Sequence, residues 1–232
     1  MEGEYKSLKC YEEEERAGFI AKVYSILSLQ IITVILFSIP AVASTSYCIY
    51  FLLSDVGLSF LWISIALTLI LSIIIYCFQS FVRRVPHGYI CLAVYTVCEA
   101  YIVSFLCAFS DPVNVMMAAI MTVALTTALT VYAWKTKSDF TVKWSAILIL
   151  CVALFMFALF ACVLRSRFLV IMYCCIAIII YGVFIIFDTQ LILGGKTYQL
   201  EIDDYILAAM LLFMDIIVLF VRLLQLLGAV RS

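Results

Sequence analysis

Three acidic residues of this chain stand where charge is least expected. Glu99, Asp188 and Asp215 lie in or at the ends of long apolar runs, whereas Glu12, Glu13, Glu14 and Glu15 form one solvated block. An ionisable side chain at membrane depth is costly and is a functional candidate by default. No lysine or arginine lies well inside the same runs, so an intramembrane ion pair cannot neutralise all three acids. What remains is a neutral acid, contact with water, a shared proton or a bound cation. Asp188 and Asp215 are the most suggestive pair. Two carboxyl groups brought together cannot both ionise easily; they share a proton and titrate as one unit. Such a unit can be a pH-sensitive latch, and its oxygens are hard ligands suited to Ca²⁺. Plainer readings stand beside this one. Asp188 alone reads as a wet helix end, and Glu99 as a neutral acid hydrogen-bonded between helices. Asp215, in mid-run, is the hardest to explain away.

Arg83 and Arg84 have a plain and a sharper reading too. The plain one is a topology signal at the end of an apolar run. The sharper one is a latch: a guanidinium–carboxylate contact to Asp188, favourable in geometry and charge, that protonation would open.

The elements that must position these groups are membrane helices. The chain is 67% hydrophobic and 12% charged, with a mean hydropathy of +1.22. Soluble domains carry about 25% charged residues. Seven apolar runs can be marked, at 23–42, 57–78, 89–109, 113–134, 144–164, 168–187 and 205–228. Each approaches the roughly twenty residues needed to cross a core about 30 Å thick. Lipid offers no partners to backbone groups, so such runs must be helices or a closed barrel. Runs this continuous are not the alternating strands of a barrel. The expectation is an all-α membrane protein, a seven-helix bundle formed by residues 21–232 behind an acidic tail at 1–20. Because Asp215 makes the seventh run the most polar, a six-span chain with a re-entrant last segment is the alternative. No cleavable leader is expected, because the first apolar run is too long for one.

Basic residues set the direction. With seven spans, Lys6, Lys9, Arg16, Lys22, Arg83, Arg84, Lys135, Lys137, Lys143 and Lys196 fall on one side. Arg165, Arg167 and Arg231 fall on the other, with Arg222 near that edge. The positive-inside rule then puts the N-terminus in the cytosol. Trp134 and Trp144 flank the loop at 135–143 on that side, as interface anchors do.

Other chemistry is excluded. The net charge of −1 offers no basic surface for nucleic acid. Ten cysteines show no C-x-x-C spacing; those in apolar runs read as small hydrophobes, and Cys10 and Cys48 alone fall outside. The only prolines, Pro40, Pro86 and Pro112, lie near proposed helix ends, so the interrupted helix pairs of secondary transporters are missing. For Asp215 to reach Asp188, the seventh helix must begin outside the core, since Asp215 comes about 15 Å after Tyr205 at the helical rise. The polar run Glu201-Ile202-Asp203-Asp204-Tyr205 allows that.

At these residues the chain resembles a known family, the Bax-inhibitor-like transmembrane proteins, also called the lifeguard family. The resemblance lies in the run from Ala21 to Gln30, in Phe187-Asp188-Thr189, and above all in the closing run from Asp204 to Phe220 around Asp215. Val97-Cys98-Glu99-Ala100 and Lys137-Ser138-Asp139-Phe140 are similar to eukaryotic members. The resemblance implies a seven-helix bundle with its last helix central, Ca²⁺ leak from intracellular stores, and suppression of apoptosis. It maps the family's aspartate pair onto Asp188 and Asp215, and a basic residue that contacts the pair onto the neighbourhood of Arg83. Met214 and Val218 depart from the tyrosine or leucine and the asparagine that many relatives carry there.

The leading expectation is therefore a pH-sensitive calcium leak channel of an internal membrane, endoplasmic reticulum or Golgi, that inhibits apoptosis. Calcium is its transported ion, with Asp188 and Asp215 as ligands and Glu99 on the path; no cofactor is expected. The alternative is a non-conducting protein acting on cell-death regulators or other membrane proteins through its acidic tail. An intramembrane aspartyl protease is remote, and no enzyme is expected. Leu212-Phe213-Met214 precedes Asp215 where such sites use Gly-x-Gly, and no Pro-Ala-Leu follows.

Overall fold

The computed structural model describes residues 2–43, 45–84, 86–164, 166–194 and 196–231, with the side chains of all but 2–12, 45–48, 143–144 and 231. Arg165, and the side chains of Lys6, Lys9, Cys10, Glu12, Cys48, Lys143, Trp144 and Arg231, thus lie outside the described residues.

The described chain is almost entirely helical, without strands. The helices are α1 (Glu2–Ala43), α2 (Thr45–Leu53), α3 (Asp55–Cys77), α4 (Gln79–Val82), α5 (His87–Ala108), α6 (Pro112–Lys135), α7 (Trp144–Leu164), α8 (Arg167–Leu193) and α9 (Tyr205–Arg231). Seven of them, α1, α3 and α5–α9, are long and apolar enough to cross a membrane. The seven-helix bundle read from the apolar runs is the architecture observed. Helix α9 is one continuous 27-residue helix, not a re-entrant hairpin. Helix α1 starts well before its apolar run and carries the acidic block within it.

Local signals set the boundaries. Ser54 caps α3 by accepting from the Gly57 N–H at 3.1 Å. Asp111 caps α6 by accepting from the Val113 N–H at 2.9 Å, with Pro112 in the first turn; a first-turn proline loses no hydrogen bond. Helix α8 ends at Gly194, whose φ of 73° and ψ of −170° only glycine adopts without strain.

The chain runs up and down, so the turn at 78–86, the 136–143 loop and the 194–204 loop share one end with Arg83 and Arg84. This is called the basic end here, and the opposite one the far end. Helix α9 is the centre of the bundle: 67% of its most apolar stretch is buried, against 44% for α5, the next most buried. It packs on α8, α6 and α1, and α1 and α3 pack on α5. Phe213, Met210, Leu219 and Leu223 of α9 are wholly enclosed, with Tyr95 of α5, Phe19 and Val23 of α1 and Ile185 of α8 around them. Among the spanning helices α7 packs substantially only on α8. Most large apolar side chains elsewhere point outward, as on Ile35, Ile70, Ile120 and Phe155. That surface suits hydrocarbon, not water.

Candidate functional site

The site forms where α8 and α9 run side by side. Asp188 is not the wet helix end of its plainer reading. Helix α8 continues to Leu193, five residues beyond it, and Asp188 is only 7% exposed. Asp215 is likewise 7% exposed. Their side chains meet within hydrogen-bonding reach. The register explains the meeting. Asp188 lies about 7.5 Å inside the end of α8 and Asp215 about 15 Å inside the start of α9, at 1.5 Å per residue. Helix α9 therefore begins beyond the end of α8, as the polar run at 201–205 allowed. Among the described residues no N–H or hydroxyl donates to Oδ2 of Asp215. Two ionised carboxylates hold no hydrogen between them, so the contact is a hydrogen bond only when one of them carries a proton. Tyr76 of α3 and Tyr181 of α8 stand within electrostatic reach of Asp215, and Tyr76 of Asp188 as well.

Glu99 is not part of this pair. It lies one turn along α5 from Tyr95, whose hydroxyl donates toward its Oε1 at 3.5 Å. The same hydroxyl closely approaches the sulfur of Met214, the residue before Asp215. Tyr76 and Tyr95 also sense one another. Glu99 thus stands near the pair with Tyr95 and Met214 between them. Deeper in the bundle, Gln30 of α1 donates to Thr96 of α5 at 3.0 Å.

The expected contact between Arg83 and Asp188 is not the one this guanidinium makes. Arg83 forks onto Asp204, with Nε–Oδ1 at 2.8 Å and Nη2–Oδ2 at 2.9 Å. Its Nη2 also reaches Glu201 at 2.6 Å. The reason is depth. Arg83 sits in the turn after α4, level with the single turn of 3-10 helix at Ile202–Asp204 that opens α9, whereas Asp188 lies more than a helical turn further in. The two carboxylates hold Arg83 charged, pushing its ionisation well above the usual arginine range, chiefly through the hydrogen bonds to Asp204. Arg84 is exposed and makes no ion pair among the described residues.

The 194–204 loop is fastened over this end from three sides, by residues whose roles the sequence reading missed. From α1, Arg16 donates to the carbonyls of Leu200 at 2.7 Å and Leu191 at 2.8 Å, with its guanidinium stacked on Phe19. From the turn after α4 comes Arg83. From the 136–143 loop, Asp139 accepts from the N–H and hydroxyl of Thr141 through one oxygen, and of Thr197 through the other. These four donors, the Thr141 hydroxyl first, hold the Asp139 carboxyl well below the usual carboxylate range. Lys196 donates to the carbonyls of Thr136 and Ser138, and buried Gln190 of α8 brackets the same loop through Phe140 N–H and Ser138 C=O. One signal was legible: Asp139-x-Thr141 is the spacing of an Asx turn. Its link to Thr197, 58 residues away, was not. An open recess of about 700 Å³ at this end is bordered by Glu13, Glu15, Glu201 and Asp203, with Arg16 as the one cation among its described lining residues. Among the described residues no group of three or more His, Cys, Asp or Glu could hold a metal; Asp188 and Asp215 are a pair, and a cation there would need water or carbonyl oxygens as further ligands.

Comparison with known proteins places this architecture. The family described as "Inhibitor of apoptosis-promoting Bax1" matches residues 16–232. The chain belongs to the Bax-inhibitor family. Its relatives in this family include Protein LIFEGUARD 4 of Arabidopsis thaliana, 34% identical over 93% of this chain and 86% of the relative. Protein LIFEGUARD 2 of the same plant is 32% identical over 94% and 90%. Protein lifeguard 3 of Mus musculus is 26% identical over 94% of this chain and 77% of its own length. The Bax-inhibitor match includes α9 and both aspartates, so the pair lies inside the shared domain.

Proposed function

We propose that this chain restrains cell death from within an internal membrane, endoplasmic reticulum or Golgi, by passing Ca²⁺ through a path governed by Asp188 and Asp215. Family membership supports the restraint of cell death, since the family is described as an inhibitor of apoptosis-promoting Bax1; the internal membrane is part of the proposal. The observation that carries the Ca²⁺ path is the buried carboxyl–carboxyl contact between α8 and the central helix α9. A proton holds that contact together, and without it two like charges face one another in a site that excludes most water. A divalent cation substitutes for the proton by giving both carboxylates one partner. The acidic recess at the basic end would concentrate cations at the mouth. The basic end faces the cytosol in this reading, following the bias of lysine and arginine.

The test is Ca²⁺ flux through purified protein in liposomes, followed against pH. Wild type passes Ca²⁺ in a pH-dependent way, and Asp215→Asn and Asp188→Asn each alter the flux and flatten that dependence. Unchanged flux in both variants at every pH would refute the mechanism. No flux from wild type in empty liposomes would favour the second reading, a non-conducting regulator that works through partner proteins.

A further inference from the structure

A second charged group lies on α9 two turns beyond Asp215, toward the far end, with Tyr181 between the two. Arg222 is on α9, seventeen residues after Tyr205, or about 25 Å along the helix. Because α9 opens outside the core, Arg222 lies inside the far boundary, level with Tyr173 and about 9 Å from the start of α8 at Arg167, a distance its long side chain spans toward the headgroups. Its guanidinium lies flat over the ring of Tyr173 on α8, 4.9 Å from the centroid. One Nη donates to Oε1 of Gln225 at 2.7 Å. Its Nε is buried and has no acceptor. No carboxylate among the described residues lies within ion-pair distance of it. The group is therefore held in orientation by a ring and an amide while its charge is left uncompensated. An arginine fork so placed matches a phosphate.

The space beside it has the matching shape. A recess of about 440 Å³ is lined by Arg222, Gln225 and Tyr173 together with the far ends of α5 and α7. It exists because α7 packs substantially only on α8, so no side chain of α7 fills the gap toward α9 and α5. Its other walls are mostly apolar and small, including Leu106, Ala158, Ala161 and Gly228. A cation within side-chain reach of the headgroups, beside a lipid-exposed apolar cleft, calls for one amphiphile with an anionic head and a hydrocarbon tail.

We propose that this recess binds the phosphate headgroup of an anionic membrane lipid, with Arg222 as its charge partner and the α5–α7 cleft as the bed of an acyl chain. The site is independent of the calcium reading and stands or falls separately from it.

Native mass spectrometry of the full chain in detergent tests it with three probes: dioleoyl phosphatidic acid, dioleoylglycerol, and inorganic phosphate. Phosphatidic acid should remain bound to wild type, with the other two much weaker. Arg222→Gln should weaken phosphatidic acid by about tenfold, the scale of losing one charge-assisted hydrogen bond, and Arg222→Lys should restore part of the loss. Ala158→Leu, which narrows the cleft without touching charge, should also weaken it, and Lys135→Gln at the basic end should not. Equal binding of dioleoylglycerol, or full binding by Arg222→Gln, overturns the proposal. Inorganic phosphate binding as well as the lipid overturns it in favour of a soluble anion. If Arg222→Gln does not fold, full binding of phosphatidic acid by Ala158→Leu overturns it alone.

Discussion

Replacing Arg83 by glutamine tests how the start of the central helix is held. The substitution leaves the Asp204 carboxylate, only 8% exposed, without the two donors that fork onto it. Breaking a fully buried pair from one side costs about 3–5 kcal/mol. The Arg83 side chain is 34% exposed, so water and salt recover part of that, and the expected loss is about 1–3 kcal/mol. Glu201, at 70% exposure, adds at most about 1 kcal/mol. Equilibrium unfolding in mixed micelles, run on Arg83→Gln, Asp204→Asn and the double variant, should give a coupling of about 1–2 kcal/mol. The pair fastens the Ile202–Asp204 turn to the end of α4, and this turn leads directly into α9. Its release should also raise Ca²⁺ flux in liposomes, because the stretch of the 194–204 loop that leads into α9 then loses its fastening to the end of α4 while the Arg16, Asp139 and Lys196 attachments remain. Single effects that add within about 0.5 kcal/mol would show the two residues to be uncoupled. The account of Arg83 as a clamp would then be wrong, whatever the flux did.

Further expectations concern the same end of the bundle and the pair beneath it. Gly194→Ala should destabilise by about 1–3 kcal/mol, because its φ of 73° with ψ near −170° suits only glycine. An added Cβ would also lie 2.8 Å from both Arg16 Nε and Gln199 Oε1; thermal unfolding of the variant checks this. Asp139 gives a pH-dependent contribution. Its folded-state ionisation lies well below the usual value, so its stabilisation is present above the unfolded carboxylate range near pH 4 and is lost as pH falls through the lower, folded value. Asp139→Asn should therefore lower stability at neutral pH and shrink the gap to wild type under strong acid, as read by unfolding midpoints from pH 7 to pH 2. Asp215→Asn and Asp188→Asn should each flatten the pH dependence of Ca²⁺ flux; a variant with the wild-type profile would remove that residue from the gate.

Much of this molecule was legible in order of residues alone. Composition and run length dictated seven helices, because lipid leaves backbone groups no other partner. The bias of lysine and arginine toward one set of loops gave the bundle an expected direction. Glu99, Asp188 and Asp215 stood out because a carboxyl group in an apolar run needs an explanation wherever it falls. The closing run around Asp215 carried the family resemblance on its own. What the order of residues could not decide was depth and partnership. That α8 runs on past Asp188, burying it, depends on where Gly194 ends the helix and on Gln190 finding the 136–143 loop. Arg83 chose Asp204 over Asp188 because it stands level with one and more than a turn above the other, a matter of helix offset. Asp139 and Thr197 meet across 58 residues of chain, and Arg16 reaches carbonyls from the other end of the sequence. Such contacts follow from packing between helices, where a shift of one turn exchanges every polar partner while leaving each apolar run unchanged. The uncompensated charge of Arg222 is of the same kind: its residue type was plain in the chain, but the empty space beside it arises only because α7 leans on α8 and leaves the far end open.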